Sequence, residues 1–286
     1  KYFKMNIRTF YILFYRHRFK KASLARKIYL VLILPFKFLY NYLYMDRKKN
    51  LDDFSLKNSF LFSKNLNFLF EFFNSDKGEE FINQYTHPAK RKNIKIKAHG
   101  YSKFYEKVFL EFKDKKINIL EIGSFYGNAS AAMFFYFKNA NIFRADINPD
   151  MFNYTSKRIK SFFVNSGSVS SIQKNILDKK IEYTIIVEDA SHMLKDQIIS
   201  LFYLFPILVS GGYFVVEELD FPEKREDMRT GQEFPDLKNI LKNIQEKKDF
   251  RSKYINQNLK DYFLNNVESI DFFKGNINEI AIIKKK

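Results

Sequence analysis

"INILEIGSFYGNAS", residues 117–130, decides the fold. Its first six residues form an apolar run short enough for a strand buried on both faces. Glycines at 123 and 127 let the chain turn tightly and bring its backbone close to a ligand. The "NASAAMFFYFKN" that follows has helical composition. Strand, glycine turn and helix in this order start an α/β unit.

Working outward, the pattern repeats. "NIFRAD" (141–146), "YTIIVED" (183–189) and "YFVVEEL" (213–219) read as further strands. "PDMFNYTSKRIKSFF" (149–163), with proline early, is expected to be a helix. "LKDQIISLFYLFPIL", stopped by "SGG", and "FPDLKNILKNIQEKKDF" are two more helices. "VESIDFF", the turn "KGN" and "INEIAIIKK" close the chain as a β-hairpin. The expected fold is a Rossmann-like α/β domain: a parallel sheet with helices on both faces and a C-terminal β-hairpin. Residues 99–286 form this body, 51–98 a helical and loop lead-in, and 1–50 a separate basic, aromatic-rich helical extension.

Ligands of such sheets bind at the carboxyl ends of the strands. Glu121, Gly123, Ser124, Gly127, Asp146, Asp189, His192, Glu217 and Glu218 all fall at expected carboxyl ends and should face one crevice. The turn is E-x-G-x-x-x-G, neither a dinucleotide fingerprint nor a P-loop. A glutamate two residues before the first glycine suits a positively charged ligand, and S-adenosylmethionine carries a sulfonium and an amino group. Asp146 is placed to accept the ribose hydroxyls. Asp189, Glu217 and Glu218 come from neighbouring strands, with no lysine or arginine beside them in the sequence. Converging carboxylates without lysine or arginine partners repel one another and invite a divalent cation, Mg²⁺, Mn²⁺ or Ca²⁺ in preference to zinc. His192, three residues past Asp189, is suited to take a proton from a hydroxyl held there. The plain structural readings are a capping histidine and a solvated strand end.

Composition sets the limits. The chain has 286 residues and no cysteine, which excludes disulfide scaffolds, thiolate metal sites and cysteine nucleophiles. Residues 1–50 hold thirteen lysines and arginines and one acid, a net +12 of the chain's +17. A nucleic-acid partner is not expected, because the charge is confined to this arm. Its longest apolar run, residues 28–36, is too short for a spanning helix and contains Pro35. Aromatic and basic flanks suit an anionic membrane surface. The alternative is packing against the body or in a homo-oligomer. The expected location is cytoplasmic, and peripheral on the inner face of the cytoplasmic membrane if the arm binds lipid.

On these residues the sequence resembles a known family, the class I S-adenosylmethionine-dependent methyltransferases of the macrocin/mycinamicin sugar O-methyltransferase type, often labelled cephalosporin hydroxylase-like. The matching pieces are "SDKG" (75–78), "HGYSKFYEKVF" (99–109), "INILEIGSFYGNAS", "NIFRADINPD", "VEDASHMLKDQIISLFYLFPILVSGGYFVVEEL" and the closing hairpin. The resemblance implies a sugar or glycan acceptor, Mg²⁺ (or Mn²⁺) on Asp189, Glu217 and Glu218, and His192 as general base. It implies S-adenosylmethionine bound by Glu121, Gly123, Ser124, Gly127 and Asp146. His99, Tyr101 and Tyr105 are expected at the acceptor pocket, with helix packing at i, i+4 the equal reading for Tyr101 and Tyr105, and residues 220–234 as a lid. The implied reaction is Mg-assisted methylation of a sugar hydroxyl, on a glycan or lipid-linked saccharide. The alternatives are an inactive scaffold at a membrane and an RNA-modifying enzyme. The chain departs from the family pattern at Ala190, usually glycine, at Glu218, usually aspartate, and at "GSV" (167–169), where Ser168 stands in place of an acid. An insertion at 79–98 is also unusual, and residues 1–50 lie outside the resemblance.

Overall fold

Short runs of β-branched and aromatic residues pair side by side here because each is apolar on both faces, which only a covered sheet can satisfy. In the computed structural model, which describes residues 7–15, 19, 22–43, 48–82 and 95–286, seven strands form the main sheet. They are β1 (Asn118–Ile122), β2 (Asn141–Asp146), β3 (Ile159–Phe163), β4 (Tyr183–Glu188), β5 (Leu208–Val216), β6 (Val267–Lys274) and β7 (Glu279–Lys285). Their spatial order is β6-β7-β5-β4-β1-β2-β3. Strands β1 to β5 run parallel, and the β6–β7 hairpin adds antiparallel beside β5.

Alternation along the strands divides the core into two layers. Ile119, Ile185, Val187 and Val215 face the Asn128–Tyr136 helix and the aromatic residues of the 51–112 region. Leu120, Ile122, Ile186, Phe214 and Val216 face the Leu194–Leu204 helix. From β1 the chain winds outward through β2 to β3, then returns to place β4 on the other side of β1. The order therefore reverses between β1 and β4, and the crevice at their carboxyl ends is the topological switch point where ligands bind.

The structure corrects one expected element. Residues 149–163 are not a helix. Pro149 opens only a turn of 3₁₀ helix (Pro149–Met151), and "IKSFF" becomes β3. Pairing with β2 satisfies the backbone of this aromatic edge strand, which overrides a weak local helical pattern. Tyr154–Thr155 pairs in parallel with Lys49–Asn50, tying the end of the extension to the body. The helices Val169–Asn175 and Gln257–Asn266 were not legible as such. Residues 51–98 are helix and loop, with the small pair Glu80–Ile82 and Lys95–Lys97. Most of the unusual insertion (83–94) lies outside the described residues, as do the extension's Arg16, Arg18 and Arg47.

In the extension, Ile7–Phe14 and Leu24–Leu43 are helices, the second continuing through Pro35. Leu30, with Leu34 and Phe38, packs with Phe10 against Tyr126 and Met151 of the body. No helix among the described residues is long and apolar enough to cross a membrane.

Candidate active site

The glycine turn joins β1 to the Asn128–Tyr136 helix and forms one wall of a cavity of about 320 Å³. Gly123 has a φ of +88°, and a Cβ there would lie 1.9 Å from the carbonyl oxygen of Asp189. That oxygen is backbone and cannot step aside. Gly123→Ala is expected to cost roughly 2–4 kcal/mol from the left-handed backbone and the overpacking together, read as a lower denaturation midpoint. An unchanged midpoint would show that the two strand ends do not meet this closely.

Glu121 is buried and accepts a hydrogen bond from Ser130 of the helix it precedes. Ser124 Oγ donates to the Glu121 carbonyl oxygen, closing the turn. Asp146, at the end of β2, accepts the backbone N–H of Phe125 at 2.9 Å and that of Asn148 at 2.7 Å, one on each carboxylate oxygen. It thus clamps the glycine turn at the cavity wall. Ser168, where the family pattern has an acid, caps the Val169–Asn175 helix. An acid reaches that side from another element: Asp196 of the Leu194–Leu204 helix lies so close to Gly167 that a Cβ there would be 2.2 Å from Asp196 Oδ1. Asp196 also lines the cavity and accepts from Ser191 Oγ at 2.6 Å.

Beyond the carboxyl ends of β4 and β5 the charged groups meet. Asp189, His192 and Glu218 bring one ligand atom each within 4.8 Å of one another. His192 Nε2 is 2.7 Å from Glu218 Oε2 and 3.8 Å from Asp189 Oδ1. His192 and Glu218 both have positive φ, +54° and +49°, as does Phe125 of the glycine turn at +47°. Such backbone costs about 1–3 kcal/mol per residue and persists where function holds it. Burial works against the imidazolium of His192, but Glu218 outweighs it and raises the pKa to about 9. Burial likewise works against the carboxylate of Glu218, yet His192 and then His99 hold it well below the usual range. The His192 Nδ1 is buried without a partner, so Nε2 is the nitrogen that faces the acids.

Glu217 is placed differently from the expectation. Its carboxylate accepts from Tyr105 Oη and lies 2.8 Å from Lys77 Nζ, which also pairs with Asp189. Lys77 thus bridges Asp189 and Glu217, while Asp189 and Glu218 converge on His192. Nor are the acids free of a cationic partner. Lys77, 1% exposed, comes from "SDKG", over a hundred residues away in the chain. Burial opposes its charge, but Asp189 and Glu217 together hold it firmly as an ammonium.

His99, Tyr101 and Tyr105 do not line an open acceptor pocket. Tyr101 and Tyr105 are fully buried and His99 nearly so. Tyr105 supports Glu217, and His99 Nε2 lies 3.0 Å from Glu218 Oε1. "HGYSKFY" thus underpins the two glutamates. Glu188, one residue before Asp189, is also buried, and neither carboxylate oxygen has a hydrogen-bond partner. Burial pushes its carboxyl up to about 7. Within 220–234, Phe221 stands edge-on to His192, with ring centres 5.1 Å apart.

Five parallel strands with a reversal at β1/β4, an antiparallel hairpin beyond β5, and a glycine turn with acids at the switch point make up the class I methyltransferase fold. Comparison with known proteins narrows the likeness to sugar O-methyltransferases. The chain is 27% identical over 128 residues to 8-demethyl-8-alpha-L-rhamnosyl tetracenomycin-C 2'-O-methyltransferase of Streptomyces olivaceus, covering 42% of this chain and 33% of that protein. Among solved structures it resembles MycE methyltransferase from the mycinamycin biosynthetic pathway, in complex with Mg, SAH and mycinamycin VI. That match has a TM-score of 0.57 and 18% identity, over 78% of this chain and 53% of that one. A crystal form of MycE with Mg and SAH gives a TM-score of 0.55 at 16% identity, over 78% and 55%. The chain spans about a third of the curated relative and about half of the MycE chain. No family model matches it.

Proposed function

We propose that this protein methylates a hydroxyl of a sugar, with S-adenosylmethionine as methyl donor and a divalent cation at the acceptor side. The observation that carries the reading is the meeting, at one switch point, of an acid-rich cavity under a glycine turn with the Asp189–His192–Glu218 cluster.

The cavity fits the donor. Its lining offers Asp76, Glu121, Asp146, Asp189 and Asp196 against a single lysine, Lys77, an excess of negative charge that suits a sulfonium and an ammonium. Gly123, Ser124 and Gly127 keep the turn close to the ligand, and Asp146, a carboxylate on the cavity wall at the end of β2, suits ribose hydroxyls. Asp196 stands where it can accept from the amino group of the adenine, in place of the acid absent at Ser168. Bound there, S-adenosylmethionine supplies an electrophilic methyl group.

The cluster fits a hard divalent cation. Asp189 and Glu218 would hold Mg²⁺ or Mn²⁺, since such ions take one or two carboxylates and fill the remaining positions with water and substrate. The ion would polarise the acceptor hydroxyl and draw the charge of Glu218 away from His192. Glu217, proposed from the sequence as a ligand, instead shares Lys77 with Asp189 and so fixes the orientation of the aspartate. His192 takes the hydroxyl proton on Nε2. With Glu218, braced by His99, turned to the ion, Nε2 would be free to accept that proton, and Phe221 packs edge-on against the ring. Catalysis then rests on positioning and electrostatics.

An acceptor with neighbouring hydroxyls suits this arrangement, as in a glycan or a lipid-linked saccharide. Because the donor is a cytoplasmic metabolite, the reading places the reaction in the cytoplasm. Calorimetric titration with S-adenosylmethionine, with and without Mg²⁺, tests it. Micromolar binding is expected in both conditions. Absence of binding to the folded protein in either one would overturn the reading and leave an inactive scaffold of the same fold.

A further inference from the structure

The Leu24–Leu43 helix has apolar residues on two faces. The inner face is packed against the body through Leu30, Leu34 and Phe38. On the outer face Leu24, Ile28, Leu32, Phe36, Leu39 and Leu43 follow one another at three- and four-residue spacing. Each is between 54% and 76% exposed. This spacing aligns them as one stripe along the helix, about 30 Å long at 1.5 Å per residue. A contiguous apolar stripe of this size marks an interaction surface.

The charge of the whole extension selects what covers the stripe. Between Leu24 and Leu43 stand the exposed Arg26 and the half-buried Lys27 and Lys37, on other sides of the helix than the stripe, and no acid. The first fifty residues carry thirteen cations and a single acid. A second copy would bring together two extensions of net charge +12 each, whereas an anionic surface attracts that charge. The helix does not meet the length and apolarity needed to cross a bilayer. We propose that the outer face of this helix lies in the headgroup region of an anionic lipid bilayer, with the leucines and Phe36 in the acyl boundary and the net positive charge of the extension drawing it to the phosphates.

The packing gives this docking a consequence for the site. The inner face of the helix rests on Tyr126 and Met151, and Phe125 and Tyr126 belong to the glycine turn that lines the cavity. The cavity wall then lies roughly one helix diameter, about 10 Å, from the lipid headgroups. The lipid contact itself does not depend on the methyl-transfer reading.

Flotation of the full chain with phosphatidylcholine vesicles, with and without phosphatidylglycerol, tests the proposal without donor, metal or acceptor. The chain is expected to float with the anionic vesicles, to bind neutral ones far less, and to detach partly at high salt. The double variant Leu32→Glu/Phe36→Glu, at positions that touch no core, is expected to keep the parent's melting curve and to partition about a hundredfold more weakly. Failure to float, or flotation equally strong in the variant, overturns it. So does a parent that is a stable dimer and becomes a monomer in the variant, since the stripe is then covered by a second copy. Loss of S-adenosylmethionine binding or activity in some other experiment leaves this result untouched, so the two readings fail separately.

Discussion

Lys77→Met is expected to destabilise the protein by about 3–5 kcal/mol, the cost of leaving buried charges without their partner. The lysine side chain is only 2% exposed, as is that of Glu217, and Asp189 is 20% exposed. Methionine fills much the same volume, so the loss is electrostatic and not a cavity. Asp189 and Glu217 then face each other with no cation between them. Urea denaturation with EDTA present measures the loss. Added Mg²⁺ is expected to raise the midpoint of the variant more than that of the parent, because an ion that binds only the folded state stabilises it by mass action. A variant as stable as the parent would show that Lys77 is not the counter-ion of these acids. A variant destabilised to the same degree with and without Mg²⁺ would place the cation elsewhere.

His192→Asn is expected to lower turnover by about 10²–10⁴-fold, the usual contribution of a general base. Asparagine is the informative replacement. His192 has a φ of +54°, and asparagine tolerates that region better than alanine, so the backbone holding Asp189 in place is retained. It has no ring nitrogen to accept the proton. Binding of S-adenosylmethionine, read by calorimetry, should change by no more than a few fold, since recognition of the donor is assigned to Glu121, Asp146 and the glycine turn. Full turnover with the same donor affinity would remove His192 as the base. A parallel loss of donor affinity would mean that the residue serves the cavity and not the proton.

The parallel sheet, the glycine turn and the place of the crevice were legible because they depend on local pattern. Apolar runs of strand length, glycines at 123 and 127, and acids just past the strands repeat with the α/β period, and that period alone puts Glu121, Asp146, Asp189 and Glu218 at one rim. The 149–163 segment misled for the same reason. Its composition allows a helix, and only the neighbouring strand decides that it pairs. The Leu24–Leu43 helix likewise showed its apolar and basic character in the sequence, but the division into a packed face and an open one needed Phe10, Tyr126 and Met151 in position.

What no reading of the chain could supply is the pairing of the charges. Glu217 and Glu218 are adjacent in sequence, yet one turns to Lys77 and Tyr105 and the other to His99 and His192. Asp196 arrives beside Gly167 from a helix that starts after the histidine motif. Periodicity determines which end of a strand a side chain occupies. Which charge it meets there depends on contacts between segments from about 26 to 140 residues apart, and those exist only once the sheet has closed over its core.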